Sequence, residues 1–140
     1  MDYKEIRKDL FSMDDKYYLG HCISMDLALG AGIAADFEQR FNLRSKLFSV
    51  PPEERFCPDT VLIGKVFNLI TKEDYYGKPT YYTMEVALKR MRKKVKDKKI
   101  KHLALPRIGC HMDKLEWRKV RSLIKTIFAD IDVEIVVCYQ

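Results

Sequence analysis

The alternation of short apolar runs with stretches of helical period constrains this chain more than any single motif does. Tyr17 to Ile23 is a near-continuous apolar run of the kind a strand carries when both of its faces are buried. Beyond a loop, Ile33, Ala34, Phe37 and Phe41 fall on one stripe with Asp36, Glu38, Gln39 and Arg40 opposite, the spacing of a helix packed on a sheet. Ser49-Val50-Pro51-Pro52-Glu53-Glu54-Arg55 breaks that helix. Thr60 to Ile63 and Val66 to Thr71, joined by Gly64-Lys65, read as a hairpin, which leaves Lys72 at a strand end. A long helix over Thr80 to Lys96 buries Met84, Ala87, Leu88, Met91 and Val95. Ile100 to Leu105 is a strand, Pro106 to Asp113 a loop, and Trp117, Val120, Ile124, Ile127 and Phe128 mark a further amphipathic helix. Val133 to Tyr139 closes the chain as a strand rich in β-branched residues, and Tyr3 to Ile6 opens it as another. Strands alternating with helices predict an α/β fold: a three-layer α/β/α sandwich around a mixed, roughly six-stranded sheet.

At 140 residues the chain has the size of one domain spanning 1–140, too short for two lobes closing on a substrate. No apolar run approaches the ~18 residues of a membrane span, and the segment from Met1 to Leu10 is charged where a secretory signal is apolar. The expectation is a soluble, cytoplasmic monomer with no membrane partner. Cys22, Cys57, Cys110 and Cys138 are scattered, without a CxxC pair or a histidine at zinc-ligand spacing, so reduced thiols and no metal are expected.

The formal charge of +6 is not spread evenly. Lys89 to Lys101 holds nine Lys or Arg against Asp97 alone, and the remaining chain is 17 basic against 19 acidic. The excess therefore sits at one helix end, as a contact for an anion such as nucleic acid or as a solvated face that suits the helix dipole.

In doubly wound sheets ligands bind outside the carboxyl ends of strands, so the loops after residues 23, 71 and 105 should converge on one crevice. Gly30-Ala31-Gly32-Ile33-Ala34-Ala35 satisfies a loose GxGxxA pattern: small residues before a helix let backbone N–H groups close on a phosphate. A close-packed loop explains the same residues, and no second-strand acid follows about 20 residues later as a dinucleotide fold requires, since Glu53 and Glu54 lie beside prolines instead. Pro106-Arg107-Ile108-Gly109-Cys110-His111-Met112-Asp113 is a second loop of this kind, and two such loops suit a diphosphate. Lys72 and Asp113 are the ionisable strand-end residues with chemistry to offer: a lysine shielded from water serves as a nucleophile and a carboxylate takes its proton. The plainer roles are a solvated turn lysine and an N-cap aspartate ahead of Trp117. His21-Cys22 and Cys110-His111 are poor thiol–imidazole pairs, since successive side chains in a strand point to opposite faces.

Taken together, His21-Cys22-Ile23-Ser24, Gly30 to Ala34, Leu69-Ile70-Thr71-Lys72, Lys78-Pro79-Thr80-Tyr81 and Pro106 to Cys110 with Asp113, Leu115 and Trp117 resemble a macrodomain. Within that fold they are similar to the terminal ADP-ribose protein glycohydrolase branch, in order from Lys8-Asp9-Leu10-Phe11 to the last strand. The resemblance implies binding of ADP-ribose and its removal from ester-linked, mono-ADP-ribosylated Glu or Asp side chains, without a cofactor or metal. It implies that Asp9 accepts a hydrogen bond from the adenine amino group, with Leu10 beside it. His21, Ser24, Gly30, Ala31, Gly32, Ile33 and Ala34 would line the distal ribose and diphosphate, and Arg107, Ile108, Gly109, Cys110, His111 and Met112 would cover the phosphates. Lys72 would attack the anomeric carbon and Asp113 would act as base. His111 replaces a family glycine, which would strain the loop if position 111 required a positive φ. A reader that binds ADP-ribose without chemistry, and a hydrolase acting on ADP-ribosylated DNA or RNA or on O-acyl-ADP-ribose, share these loops.

Overall fold

The computed structural model describes residues 1–140, all of the chain. Its strands are β1 (Asp2–Arg7), β2 (Tyr18–Ser24), β3 (Asp59–Ile63), β4 (Val66–Lys72), β5 (His102–Leu105) and β6 (Glu134–Tyr139). They form one mixed sheet in the order β1-β6-β5-β2-β4-β3, in which every neighbouring pair is parallel except β3 with β4. Helices α1 (Gly32–Phe41), α2 (Leu43–Phe48), α3 (Tyr81–Asp97) and α4 (Trp117–Phe128) connect them.

The sheet has a core on each face, because strand residues alternate between the two. Phe67, Leu69, Leu103, Leu105 and Ile135 pack with Met84, Leu88, Met91 and Val95 of α3 and with Val120, Ile124 and Phe128 of α4. Val66, Ile70, Ala104 and Val136 pack with Phe37 of α1 and with Leu43 and Leu47 of α2. The result is the three-layer α/β/α sandwich that the strand and helix pattern predicts.

Two boundaries differ from the sequence pattern, for local reasons. The first helical stretch ends at Phe41, not at Ser49: Asn42 takes the left-handed conformation (φ 52°), which asparagine tolerates, and a separate short helix follows. Helix α3 starts one residue late because Thr80 caps it. Its Oγ1 accepts from the Thr83 N–H at 3.0 Å while Thr83 Oγ1 accepts from the Thr80 N–H at 2.9 Å, a reciprocal box made with threonine in the place usually held by Glu.

Candidate active site

The loops after β2, β4 and β5 meet in one cleft of about 610 Å³ at the carboxyl ends of the parallel strands, where the sequence pattern puts them. Asp9 and Leu10, just beyond β1, line one end. Ser24 and the segment Gly30 to Ala34 line one wall, Arg107 to Met112 the other, and Lys72 and Asp113 both reach the cleft.

The two walls are built differently. Helix α1 begins at Gly32, whose φ of +58° a side chain would strain, and Ala31 before it supplies no capping side chain. The first N–H groups of α1 therefore have neither an intrahelical nor a side-chain partner, and they open on the cleft beside Ile33 and Ala34. The opposite wall is loop backbone. Gly109 has φ +74°, and a Cβ there would come within 2.7 Å of Met84 Cε, so the chain passes tightly over the α3 core. Leu115 N–H donates to the Gly109 carbonyl at 2.8 Å, and the Lys78 ammonium donates to the Met112 carbonyl at 3.1 Å. The walls approach each other at Gly32 and Met112: a Cβ on Gly32 would lie 3.8 Å from Met112 Sδ.

His111 carries no strain. Position 111 lies outside the positive-φ region, which this loop enters at Gly109 and again at Lys114 (φ +62°), so a histidine is accommodated at 111. Its side chain is exposed and makes no hydrogen bond within the protein.

Lys72 and Asp113 come together. Lys72 Nζ donates to Asp113 Oδ1 at 2.9 Å and to the Tyr75 carbonyl at 3.0 Å. Their side chains are 14% and 15% exposed, so the pair feels a field less screened than a surface ion pair does. Irregular pairing places Lys72 there: the register of β2 on β4 shifts between Ile23 and Ser24, so that Ser24 lies across from Lys72. Asp113 is not an N-cap, since Glu116 occupies the cap position of α4 and Asp113 accepts from Lys72 instead.

Asp9 caps the short 3-10 turn Leu10–Ser12, accepting the Phe11 N–H through Oδ1 at 3.0 Å. Its other carboxylate oxygen takes no hydrogen bond from the protein. Arg107 sits with its guanidinium carbon 4.5 Å from the centre of the Tyr139 ring, and Tyr139 also lines the cleft.

His21 is the one nominated residue that the structure takes away from the cleft. Strand alternation points it to the opposite face from Cys22, where it is fully buried and stacks on Phe37 with ring centres 3.9 Å apart. Its Nε2 pairs with Asn68 Oδ1 at 2.7 Å, and Nδ1 has no partner. Burial pushes its pKa down to about 4, against the opposing effect of the Asn68 contact, so the ring is neutral at physiological pH. It shapes the sheet under α1 and does not line the cleft.

Cys22 and Cys110 do line the cleft, but burial, reinforced by the Asp113 charge, pushes both thiols up. Cys110 reaches about 11 even with Arg107 opposing the shift, so neither is a thiolate nucleophile at neutral pH. Tyr75, Asp36 and Arg40 line the cleft as well, and no motif in the sequence points to them.

The basic run lies at the other end of α3. The N-terminus of α3 borders the cleft loops, where Tyr81 Oη accepts from the Glu116 N–H at 2.9 Å. The cations from Lys89 onward occupy the last turns of this 17-residue helix, which is about 25 Å long, and the turn beyond it. No helix is long and apolar enough to cross a membrane.

A mixed six-stranded α/β/α sandwich with this cleft is the architecture of a macrodomain, and the solved structures agree. The macrodomain of Thermus aquaticus DarG superposes with a TM-score of 0.85 at 19% identity, covering 99% of this chain and 98% of that one. Thermosipho africanus DarTG in complex with ADP-ribose superposes with a TM-score of 0.78 at 17% identity, covering 98% of this chain and 41% of that one. In sequence, the chain is 31% identical over 136 residues to the Homo sapiens protein "ADP-ribose glycohydrolase OARD1", covering 94% of this chain and 88% of that protein. No family model matches it. The chain belongs to the OARD1 family of macrodomain proteins.

Proposed function

We propose that this chain is an ADP-ribosyl hydrolase that binds ADP-ribose in the cleft and releases it from ester-linked, mono-ADP-ribosylated Glu or Asp side chains of proteins. The observation that carries this reading is the 2.9 Å contact of Lys72 with Asp113, largely shielded from water in a cleft that both glycine-containing loops line. A pure reader needs the loops and has no use for such a pair.

In this mechanism the N–H groups at the start of α1 and the backbone of 107–112 hold the diphosphate, where the helix dipole favours negative charge. That placement presents the anomeric carbon of the distal ribose to Lys72. Lys72 gives a proton to Asp113, and the freed amine forms an N–C bond at the anomeric carbon as the C–O bond to the protein carboxylate breaks. The carboxylate leaves with the bonding pair, and it is a good enough leaving group that no metal is called for. Asp113 passes the proton it took from Lys72 to the departing carboxylate and then takes a proton from water as the water attacks the same carbon; the C–N bond breaks, and the released Lys72 amine takes that proton back from Asp113. The net change is ester plus water giving free ADP-ribose and a carboxylic acid.

The test is turnover of a glutamate-linked mono-ADP-ribosylated peptide by the unmutated protein, Lys72→Ala and Asp113→Ala, with binding of free ADP-ribose measured for each by calorimetry. Turnover abolished with binding retained supports the reading. Binding without turnover in the unmutated protein makes it a reader.

A further inference from the structure

We propose that Asp26 is a positioning residue for Lys72, acting through the peptide groups of the turn at Tyr75; this rests on the reading of Lys72 as the nucleophile. The turn Glu73 to Gly77 follows Lys72 directly, and the Tyr75 carbonyl accepts one of the three protons of its ammonium at 3.0 Å. The N–H of the same residue donates to Asp26 Oδ2 at 2.9 Å. Tyr75 is thus gripped on both sides: its amide by a carboxylate from the β2 loop, its carbonyl by the amine of β4. Two further bonds set the height of Asp26 relative to β4, from the Met25 N–H to the Lys72 carbonyl at 2.9 Å and from the Asp26 N–H to the Glu73 carbonyl at 3.2 Å.

The carboxylate is itself immobilised. Asp26 Oδ1 accepts from Ser24 Oγ at 2.5 Å and from the Ala28 N–H at 3.2 Å. Burial pushes the carboxyl up, but these bonds, the Tyr75 N–H and the Lys72 charge outweigh it and hold Asp26 below the usual carboxylate range, so it is ionised at neutral pH. An aspartate whose two oxygens serve three donors on two chain segments fixes those segments relative to each other.

The consequence for chemistry is directional. An ammonium with one proton on Asp113 and another on the Tyr75 carbonyl has a defined third direction, and in the free amine that geometry decides where the lone pair points. If the Tyr75 carbonyl drifts, Lys72 keeps its charge partner and loses its aim. Asp26 makes no hydrogen bond to Lys72 Nζ, and its hydrogen-bonded route to that amine runs through Tyr75.

The experiment uses the full chain with Asp26→Asn, Asp26→Ala and Asp26→Glu. Asparagine has one acceptor oxygen in place of two, so it cannot serve both the Ala28 and the Tyr75 N–H, while glutamate keeps both oxygens. Lysines are trace-acetylated with acetic anhydride, and labelling of Lys72 is read by mass spectrometry against exposed Lys93 as internal reference. In the asparagine and alanine variants Lys72 labels several-fold faster than in the unmutated protein. Turnover of the ester substrate falls about tenfold, ADP-ribose affinity stays within about twofold, and glutamate restores most of the turnover. Unchanged labelling of Lys72 in Asp26→Ala overturns the proposal, as does a fall in affinity that accounts for the whole loss of turnover. An unmutated protein without turnover defeats the hydrolase reading, and the labelling still decides whether Asp26 positions Lys72. If alanine prevents folding, asparagine and glutamate carry the comparison.

Discussion

The two ends of α3 hold charge in opposite ways. At its N-terminus, loops from three strands converge and one lysine meets one aspartate with little exposure to water. At its C-terminus, cations are numerous and solvated. Lys89 pairs with Glu85 and Lys93 with Asp97 along the helix, Arg92 reaches Asp130 and Lys101 reaches Asp132. Arg90, Lys94, Lys96, Lys98 and Lys99 have no carboxylate within ion-pair distance. Exposed pairs of this kind contribute little to stability, and salt screens them. The comparison teaches that the net charge of +6 describes the solvated end, while the proposed chemistry rests on two residues that cancel in that count.

The comparison breaks first at Lys72. Lys72→Ala is expected to lower turnover roughly a thousandfold or more, with ADP-ribose affinity within about threefold, because a nucleophile contributes to the transition state and little to ground-state binding. Single-turnover kinetics beside calorimetry reads both, and a matched loss of affinity and rate would make Lys72 a binding residue.

Below the cleft, His21 links structure to acid. Its pKa of about 4 lies under its unfolded value near 6.5, so between those values the unfolded chain binds a proton that the native protein refuses. The stability this contributes is complete above pH 6.5 and is lost as pH falls toward 4, by about 3 kcal/mol. Urea unfolding at stepped pH should show a steeper decline for the unmutated protein than for His21→Gln, whose amide can still donate to Asn68. Parallel curves would place the loss in the carboxylates.

Gly109→Ala should cost about 1 to 2 kcal/mol and weaken ADP-ribose binding, since φ +74° and the 2.7 Å approach to Met84 both oppose a Cβ. A gain in thermal stability would contradict the backbone account. The smallest effect belongs to the solvated end. Replacing Lys94, Lys96, Lys98 and Lys99 with Glu should leave turnover of a small ester substrate within about twofold, and a larger loss would couple the two ends of α3.

Much of this was legible in the sequence because local signals and the global fold agree. The apolar periods located all six strands, and Gly64-Lys65 fixed the hairpin that leaves Lys72 at a strand end. Lys72 and Asp113 were both visible as candidates, but 41 residues separate them, so their 2.9 Å contact depends on the parallel register of β4, β2 and β5. His21 was misassigned to the cleft because a strand buried on both faces has no polar side to betray its orientation. Asn42 ended α1 through a left-handed residue inside an otherwise helical pattern, a conformation that asparagine tolerates and the apolar period does not reveal. Asp26 and Tyr75 left no signal, since their link joins a carboxylate to a backbone N–H 49 residues away, a partner that carries no side-chain pattern.

The central claim is that Lys72 bonds to the ribose during turnover, and trapping that adduct tests it most directly. The protein is mixed with glutamate-linked ADP-ribosylated peptide in the presence of cyanoborohydride, which reduces the imine formed when the ribosylamine on Lys72 opens its ring, then digested and mapped by mass spectrometry. The account predicts ADP-ribose reduced onto the peptide containing Lys72, accumulating as turnover stops, with Asp113→Ala slowing its release. Continued turnover with Lys72 unmodified, or modification spread evenly over the exposed lysines, would contradict it.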